Sequence, residues 1–549
     1  GHLSGSTGSL TEITYPGGNA AANAAAKASN QYQFQLERAS LVAAPVPGRA
    51  DLNALTAQVA DNNFYKTNPE AESTMRFLRR HIKHVIYVIK ENRTFDQVLG
   101  DLDNGANVDS SITQFPRQIT PSLHGLASQF VTLDNFKDPG DGSMDGWSWS
   151  LQGRVTNVET ITQQINYAFV NRGLSYESEG TNRGVPVNFA TVAERDFVAG
   201  KTSTTNYSTA TASLLGSTAN VLAGTGNHAS SDAPDDEQGG YIFRAVLQAG
   251  GTVRNYGMLT NNIGSVGSKA APIVDPFTAN EVQVRSLAPD LAPFTDVYYR
   301  GYDNVYPDLW RYQEWKREFD QFAAAGVLPN LSLVRLSHDH MGNFSTAFAG
   351  INTPETQQAD NDLAVGLLVQ AVANSRFADD TLIIVTEDDC QDGPDHVDSH
   401  RASTYITGAY VKKGAIISKH YSQVNVLRTI EDILGTEHLN LNTAFQAPMT
   451  EIFDLRAHGK WTFTAEASTV LQTTDVAALI AALGVNYTSG EAVKPQHDAQ
   501  YWTKATNGFD FSEADRVPTA KFNRVLWKGL MGDKPYPEHK GASNAADDD

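Results

Sequence analysis

Cysteine is almost absent from this chain. Its 549 residues include one, Cys390, which excludes an internal disulfide and any zinc site built on cysteine thiolates. No apolar run reaches membrane-spanning length. No basic and apolar leader opens the chain, so any export signal is expected to be gone already. Positive charge is scarce too: 42 Lys and Arg face 62 Asp and Glu, a formal net charge of −20. That field disfavours nucleic acid and anionic membranes as partners. An anionic substrate would need a local positive site, such as a metal ion. There is no internal repeat and no Gly-x-Ser-x-Gly nucleophile elbow. Gly200-Lys201-Thr202 fails as a phosphate loop, because Arg195 stands where the upstream glycine is required. The rest is ordinary globular composition, 41% hydrophobic and 19% charged, long enough to bury a large core.

Apolar runs predict strands at 83–89, 129–133, 331–336, 381–386 and 405–411. Helical spacing predicts helices over about 70–81, 360–373 and 422–434. Strands alternating with helices imply α/β architecture: a doubly wound, mostly parallel sheet with helices on both faces. Residues 1–65 read as an arm and 66–460 as the catalytic domain, with a mixed insertion or cap over about 150–325. Residues 461–549 read as a C-terminal extension with a mobile acidic tail.

Four predicted strands end in polar loops, and in a parallel sheet those loops meet at one edge. The first offers Glu91 and Asn92, and the second leads to Ser143 between Asp141 and Asp145. The third carries His338, Asp339 and His340; the fourth is Glu387-Asp-Asp-Cys-Gln-Asp-Gly-Pro-Asp-His-Val-Asp-Ser-His400. Each piece alone has a plain explanation as a surface acid, a turn or a packed imidazole. Together, so many carboxylates require a compensating cation. Oxygen ligands suit Ca²⁺, Mg²⁺ or Mn²⁺, and added imidazoles admit Zn²⁺ or Fe. Asp388 and Asp389 can share an ion only if the backbone turns sharply there. His396 and His400 are candidates for the metal or for a substrate anion, and Ser143 for a nucleophile whose hydroxyl a metal acidifies.

Lys83-His-Val-Ile-Tyr-Val-Ile-Lys-Glu-Asn-Arg-Thr-Phe-Asp96 resembles the opening signature of the bacterial phosphoesterase family of phosphatidylcholine-type phospholipases C and a related acid phosphatase. Thr386 to Arg401 is closer still to a branch often fused to β-propellers. Pro121 to Phe136 and Ala359 to Ala364 match as well, so the resemblance spans about 83–460. With no propeller repeat, this is expected to be the catalytic part alone. The resemblance implies an alkaline-phosphatase-like core and a divalent metal, calcium foremost, held by Glu91, Asn92, Ser143, Asp388 and Asp389. It implies Ser143 as nucleophile with His340 and Asp145 in the catalytic group, and Asn92, Asp339, His340, His396 and His400 around the phosphate. Ser143-Met-Asp-Gly-Trp147 departs from the family's Ser-x-Asp-Gly-His, so Trp147 replaces one phosphate-contacting histidine.

The expected activity is metal-dependent hydrolysis of a phosphomonoester through a phosphoserine, in a periplasmic or secreted bacterial protein. A phosphodiester or phospholipid substrate is the first alternative, and Trp147 and Trp149 hint at lipid. A sulfatase is the second, but Ser143-Met-Asp lacks the Cys/Ser-x-Pro-x-Arg context of formylglycine. A metal-stiffened binding or surface protein is the non-catalytic alternative.

Overall fold

The computed structural model describes residues 46–62, 68–140, 142–155, 241–286, 290–457, 461–490, 492–511, 517 and 519–537. The expected arm up to residue 45, Asp141, the segment 156–240 and the acidic tail from 538 lie outside the described residues. In chain order the main sheet contains β1 (His84–Lys90), β2 (Val131–Thr132), β3 (Val253–Tyr256) and β4 (Leu331–Arg335). It continues with β5 (Thr381–Glu387), β6 (Tyr405–Gly408) and β7 (Ala415–Ile416). The order across the sheet is β7-β2-β6-β5-β1-β4-β3. β6 runs antiparallel to both neighbours, and every other pairing is parallel.

The central strands are mostly apolar because both their faces are covered, with the polar residues near their ends. Val85 to Ile89, Leu331, Leu333, Val334 and Leu382 to Val385 are all buried. The covering helices form two groups. One holds α1 (Pro69–His81), α3 (Ser143–Gln152) and α6 (Gln423–Leu434), with α6 packed on the other two. The second holds α2 (Pro121–Gln129), α4 (Asp308–Ala325) and α5 (Pro354–Ala373), with α5 packed on the other two. α1 begins where the Asn68 side chain accepts the N–H groups of Glu70 and Ala71, with Pro69 in the first turn. No helix among the described residues is long and apolar enough to cross a membrane.

The segment expected as a cap, 150–325, is partly core. It supplies the edge strand β3, paired with β4 through Val253↔Leu331, and the helix α4. An ion pair between Arg254 of β3 and Glu318 of α4 joins the two. Next to it, Asp296 is buried against Glu314 and Glu318. Burial first, then those two carboxylates, push its pKa up to about 8. The native state therefore keeps this proton longer than the unfolded chain does, and stability falls as pH rises between about 4 and 8. Asp296→Asn should raise the melting temperature at pH 9, with the gain fading toward pH 5. Parallel melting curves for the two proteins across that range would contradict this.

Candidate active site

Three parallel strands end together to make the site. β1 pairs with β5 through Lys90↔Glu387 and with β4 through Ile89↔Arg335, so their following residues share one sheet edge. Behind that edge Lys90 is buried, with Nζ 2.8 Å from Asp339 Oδ2 and 3.0 Å from Glu387 Oε1. Burial opposes its charge, but Asp339, Glu387 and Tyr405 outweigh burial and hold the lysine above its ordinary range. Asp339 Oδ1 accepts the Glu91 N–H and the Asn361 amide, each at 3.2 Å. Asp339, expected among the phosphate contacts, is thus a brace between strand ends: its oxygens serve a lysine, a backbone N–H and an amide.

Ser143 opens α3, with Gly142 before it. Asp145 Oδ1 accepts the Gly142 N–H at 3.1 Å, so the residue expected in the catalytic group closes the turn that presents the serine. Ser143 is fully buried, and its Oγ donates to Asp389 Oδ2 at 2.9 Å. A Cβ on Gly146 would collide with the Asp388 carbonyl oxygen, so glycine is what lets α3 lie against the 388–389 backbone.

Asp389 also accepts the Gln391 N–H at 2.7 Å and the Asn92 amide at 3.2 and 3.3 Å. Asn92 turns its oxygen to Arg93 Nη2 at 3.2 Å, so it shows its NH2 face to the carboxylates. Glu91 accepts a hydrogen bond from Arg335 Nη2. Asp388 is different. It is fully buried, and neither carboxylate oxygen has a hydrogen-bond partner. Burial, then Asp389 and Glu91, push its pKa well above the carboxylate range, although the nearby Ser143 hydroxyl pulls the other way.

Asp138, which sequence reasoning passed over, belongs to the same group. It is buried, and burial together with Asp389 raises its pKa against the Gly140 N–H that it accepts at 3.0 Å. Its only sequence signal was a position five residues before the serine. A sealed group of carboxylates with orphaned oxygens is what a divalent cation satisfies.

The imidazoles divide. His340 is buried, with Nδ1 3.1 Å from the Met341 carbonyl and Nε2 3.1 Å from Gln391 Nε2. His396 lies in a separate knot: Nδ1 bonds Asp96, and Nε2 is 3.0 Å from Asn107 Oδ1. Both its ring nitrogens are taken, so it is not posed to reach a phosphate at Ser143. His400 is partly exposed, 3.1 Å from Asp398, and holds that carboxyl far below its usual range.

Among the described residues, the trio of carboxylate and imidazole atoms lying within 4.8 Å of one another is Asp96, Asp395 and His396. Arg401 already fills that trio's need for positive charge, 2.9 Å from Asp96 and 3.0 Å from Asp395. Glu91, Asp388 and Asp389 form no such trio, because Glu91 turns to Arg335.

The sequence profile of the Phosphoesterase family matches residues 82–437. Similar solved structures include an alkaline phosphatase superfamily protein from Vibrio parahaemolyticus, at 14% identity and a TM-score of 0.33, covering 69% of this chain and 79% of that one. A sulfatase from Pseudoalteromonas sp. has 11% identity and a TM-score of 0.41, with 72% and 78% covered. A phosphonate monoester hydrolase from Silicibacter pomeroyi has 13% identity and a TM-score of 0.31, with 65% and 74% covered. No curated protein matches the chain.

Proposed function

The chain belongs to the Phosphoesterase family, and from that premise we propose that it hydrolyses phosphomonoesters with Ser143 as nucleophile. The observation that carries the reading is the buried contact of Ser143 Oγ with Asp389, beside an Asp388 whose carboxylate oxygens have no partner. Asp388, Asp389 and Ser143, with Asp138 alongside, would hold a divalent cation, calcium first among the candidates, whereas Asn92 and Glu91, expected as ligands, each give an oxygen, to Arg93 and Arg335. That cation would supply charge to stabilise the serine alkoxide and the phosphoryl oxygens.

The chain's own residues do the rest. Asp389 Oδ2 takes the Ser143 proton along the existing hydrogen bond. The serine oxygen attacks phosphorus in line, and the ester P–O bond breaks as the phosphoserine forms. His340, expected in the catalytic group, has both ring nitrogens engaged by the Met341 carbonyl and the Gln391 amide, so it braces this wall, and the leaving oxygen takes its proton from water. Water then cleaves the phosphoserine and restores the hydroxyl. Trp147 is buried and stacked on Arg335, so it forms no open apolar wall for a lipid chain.

The test is a rate comparison on aryl phosphate monoester, aryl phosphate diester, phosphatidylcholine and aryl sulfate, after chelation and re-addition of single metals. The monoester should lead in kcat/KM by roughly tenfold or more, a difference of about 1.4 kcal/mol in transition-state binding. A faster diester or phospholipid would move the substrate class, and a faster sulfate would overturn the phosphoester reading. Turnover of none, with chelation lowering only the melting temperature, would favour a non-catalytic protein.

A further inference from the structure

Next to the Ser143 group stand three donor nitrogens that the mechanism above leaves idle. Arg335, at the end of β4, is buried. Its Nη2 donates to Glu91, while Nε and Nη1 have no hydrogen-bond partner. Its guanidinium carbon lies 4.5 Å from the Trp147 ring centroid and 5.1 Å from that of Tyr302. The Trp147 indole N–H is also buried and without a partner. Buried donors without acceptors are rare because water no longer satisfies them. Here two side chains that touch each other carry three.

Trp147 shares a helix with the serine, and Arg335 reaches the site through its stacking on Trp147 and its bond to Glu91. Trp147 is four residues after Ser143 on α3, so the two share a helix face. Arg335 holds Glu91, which in turn raises the Asp388 pKa. The aromatic rings restrict the guanidinium to one orientation, which reduces the entropy lost when it binds an oxygen.

We propose that Arg335 and Trp147 together bind the free oxygens of the phosphoryl group that Ser143 attacks. The inference rests on the hydrolase reading above and narrows it. The guanidinium supplies the charge, and the indole supplies a neutral donor where an imidazole would titrate. A monoester has three non-bridging oxygens for these donors and a diester has two, so the pair favours terminal phosphates. Because an indole does not titrate, phosphate affinity gains no histidine-like pH dependence from position 147.

The experiment is calorimetric titration of the metal-loaded full chain with inorganic phosphate. Arg335→Gln should weaken binding about tenfold or more, and Trp147→Phe, which keeps a ring over the guanidinium, about fivefold. Metal content and the far-ultraviolet spectrum should stay as in the parent. Arg335→Lys keeps the charge and should lose most of the affinity, which covers the case in which the glutamine variant does not fold. Parent-like phosphate affinity in folded Arg335 and Trp147 variants overturns the proposal, and so does a parent that binds no phosphate. Ser143-dependent turnover with phosphate binding indifferent to both residues would sink this inference alone. Arg335-dependent phosphate binding without turnover of any ester would sink the hydrolase reading alone.

Discussion

Ser143→Ala is expected to lower kcat on an aryl phosphate monoester by at least about a thousandfold while leaving bound metal near the parent level. The expectation follows from what the hydroxyl does. Ser143 Oγ donates to Asp389 Oδ2 at 2.9 Å, at the start of a helix that Asp145 and Gly146 fix in place. Removing the oxygen leaves that helix start intact, because the Asp145 bond runs to the Gly142 backbone. Fold and carboxylates should therefore survive while the attacking atom is lost. Metal measured by elemental analysis alongside steady-state rates separates the two effects. Turnover within a few-fold of the parent would remove Ser143 from the reaction.

Asp388→Asn carries the second large effect, and its sign depends on the metal. With the ion present, a neutral amide in place of a ligand carboxylate should weaken binding by at least roughly a hundredfold. After exhaustive chelation the same substitution should raise the melting temperature at neutral pH. The reason is that Asp388 is a buried carboxylate beside Asp389 and Glu91, and burial and those neighbours both oppose its charge. One side chain that destabilises the empty protein and stabilises the loaded one is the signature of a ligand. Equal melting temperatures for both chelated proteins, together with unchanged metal content, would assign Asp388 another role.

The sheet's centre was legible because its strands are buried on both faces. His84–Lys90 and Thr381–Glu387 are β-branched apolar runs that leave no other reading. The edges were not. Val253-Arg-Asn-Tyr256 is largely buried but carries two polar residues, Arg254 bonded to Glu318 and Asn255 bonded to Thr295, which break its apolar run, and so it vanished into the expected cap. Ala415–Ile416 is too short to leave a pattern. The helix Pro354–Ala373 begins six residues earlier than its periodicity suggested, because buried polar residues such as Gln357, Gln358 and Asp360 conceal the apolar stripe.

The candidate site divides the same way. Asp388, Asp389 and Ser143 come together because strand ends converge, which topology alone makes readable. His396 stood out through nearness in sequence to Asp388, yet its loop folds onto Asp96 and Arg401 instead. Asp138 was missed because Lys137-Asp-Pro-Gly140 reads as a solvated turn, although the fold buries it. Arg335 did leave a signal: a lone charge at the end of a buried strand has to be neutralised by something, and Glu91 does so.

The most direct measurement is acid quenching of the metal-loaded protein during turnover of an aryl phosphate monoester, followed by mass spectrometry of its peptides. A phosphate on the peptide containing Ser143, present in the parent and missing from Ser143→Ala, is the predicted result. An active parent with that peptide unmodified, or with the phosphate on another residue, would contradict the account.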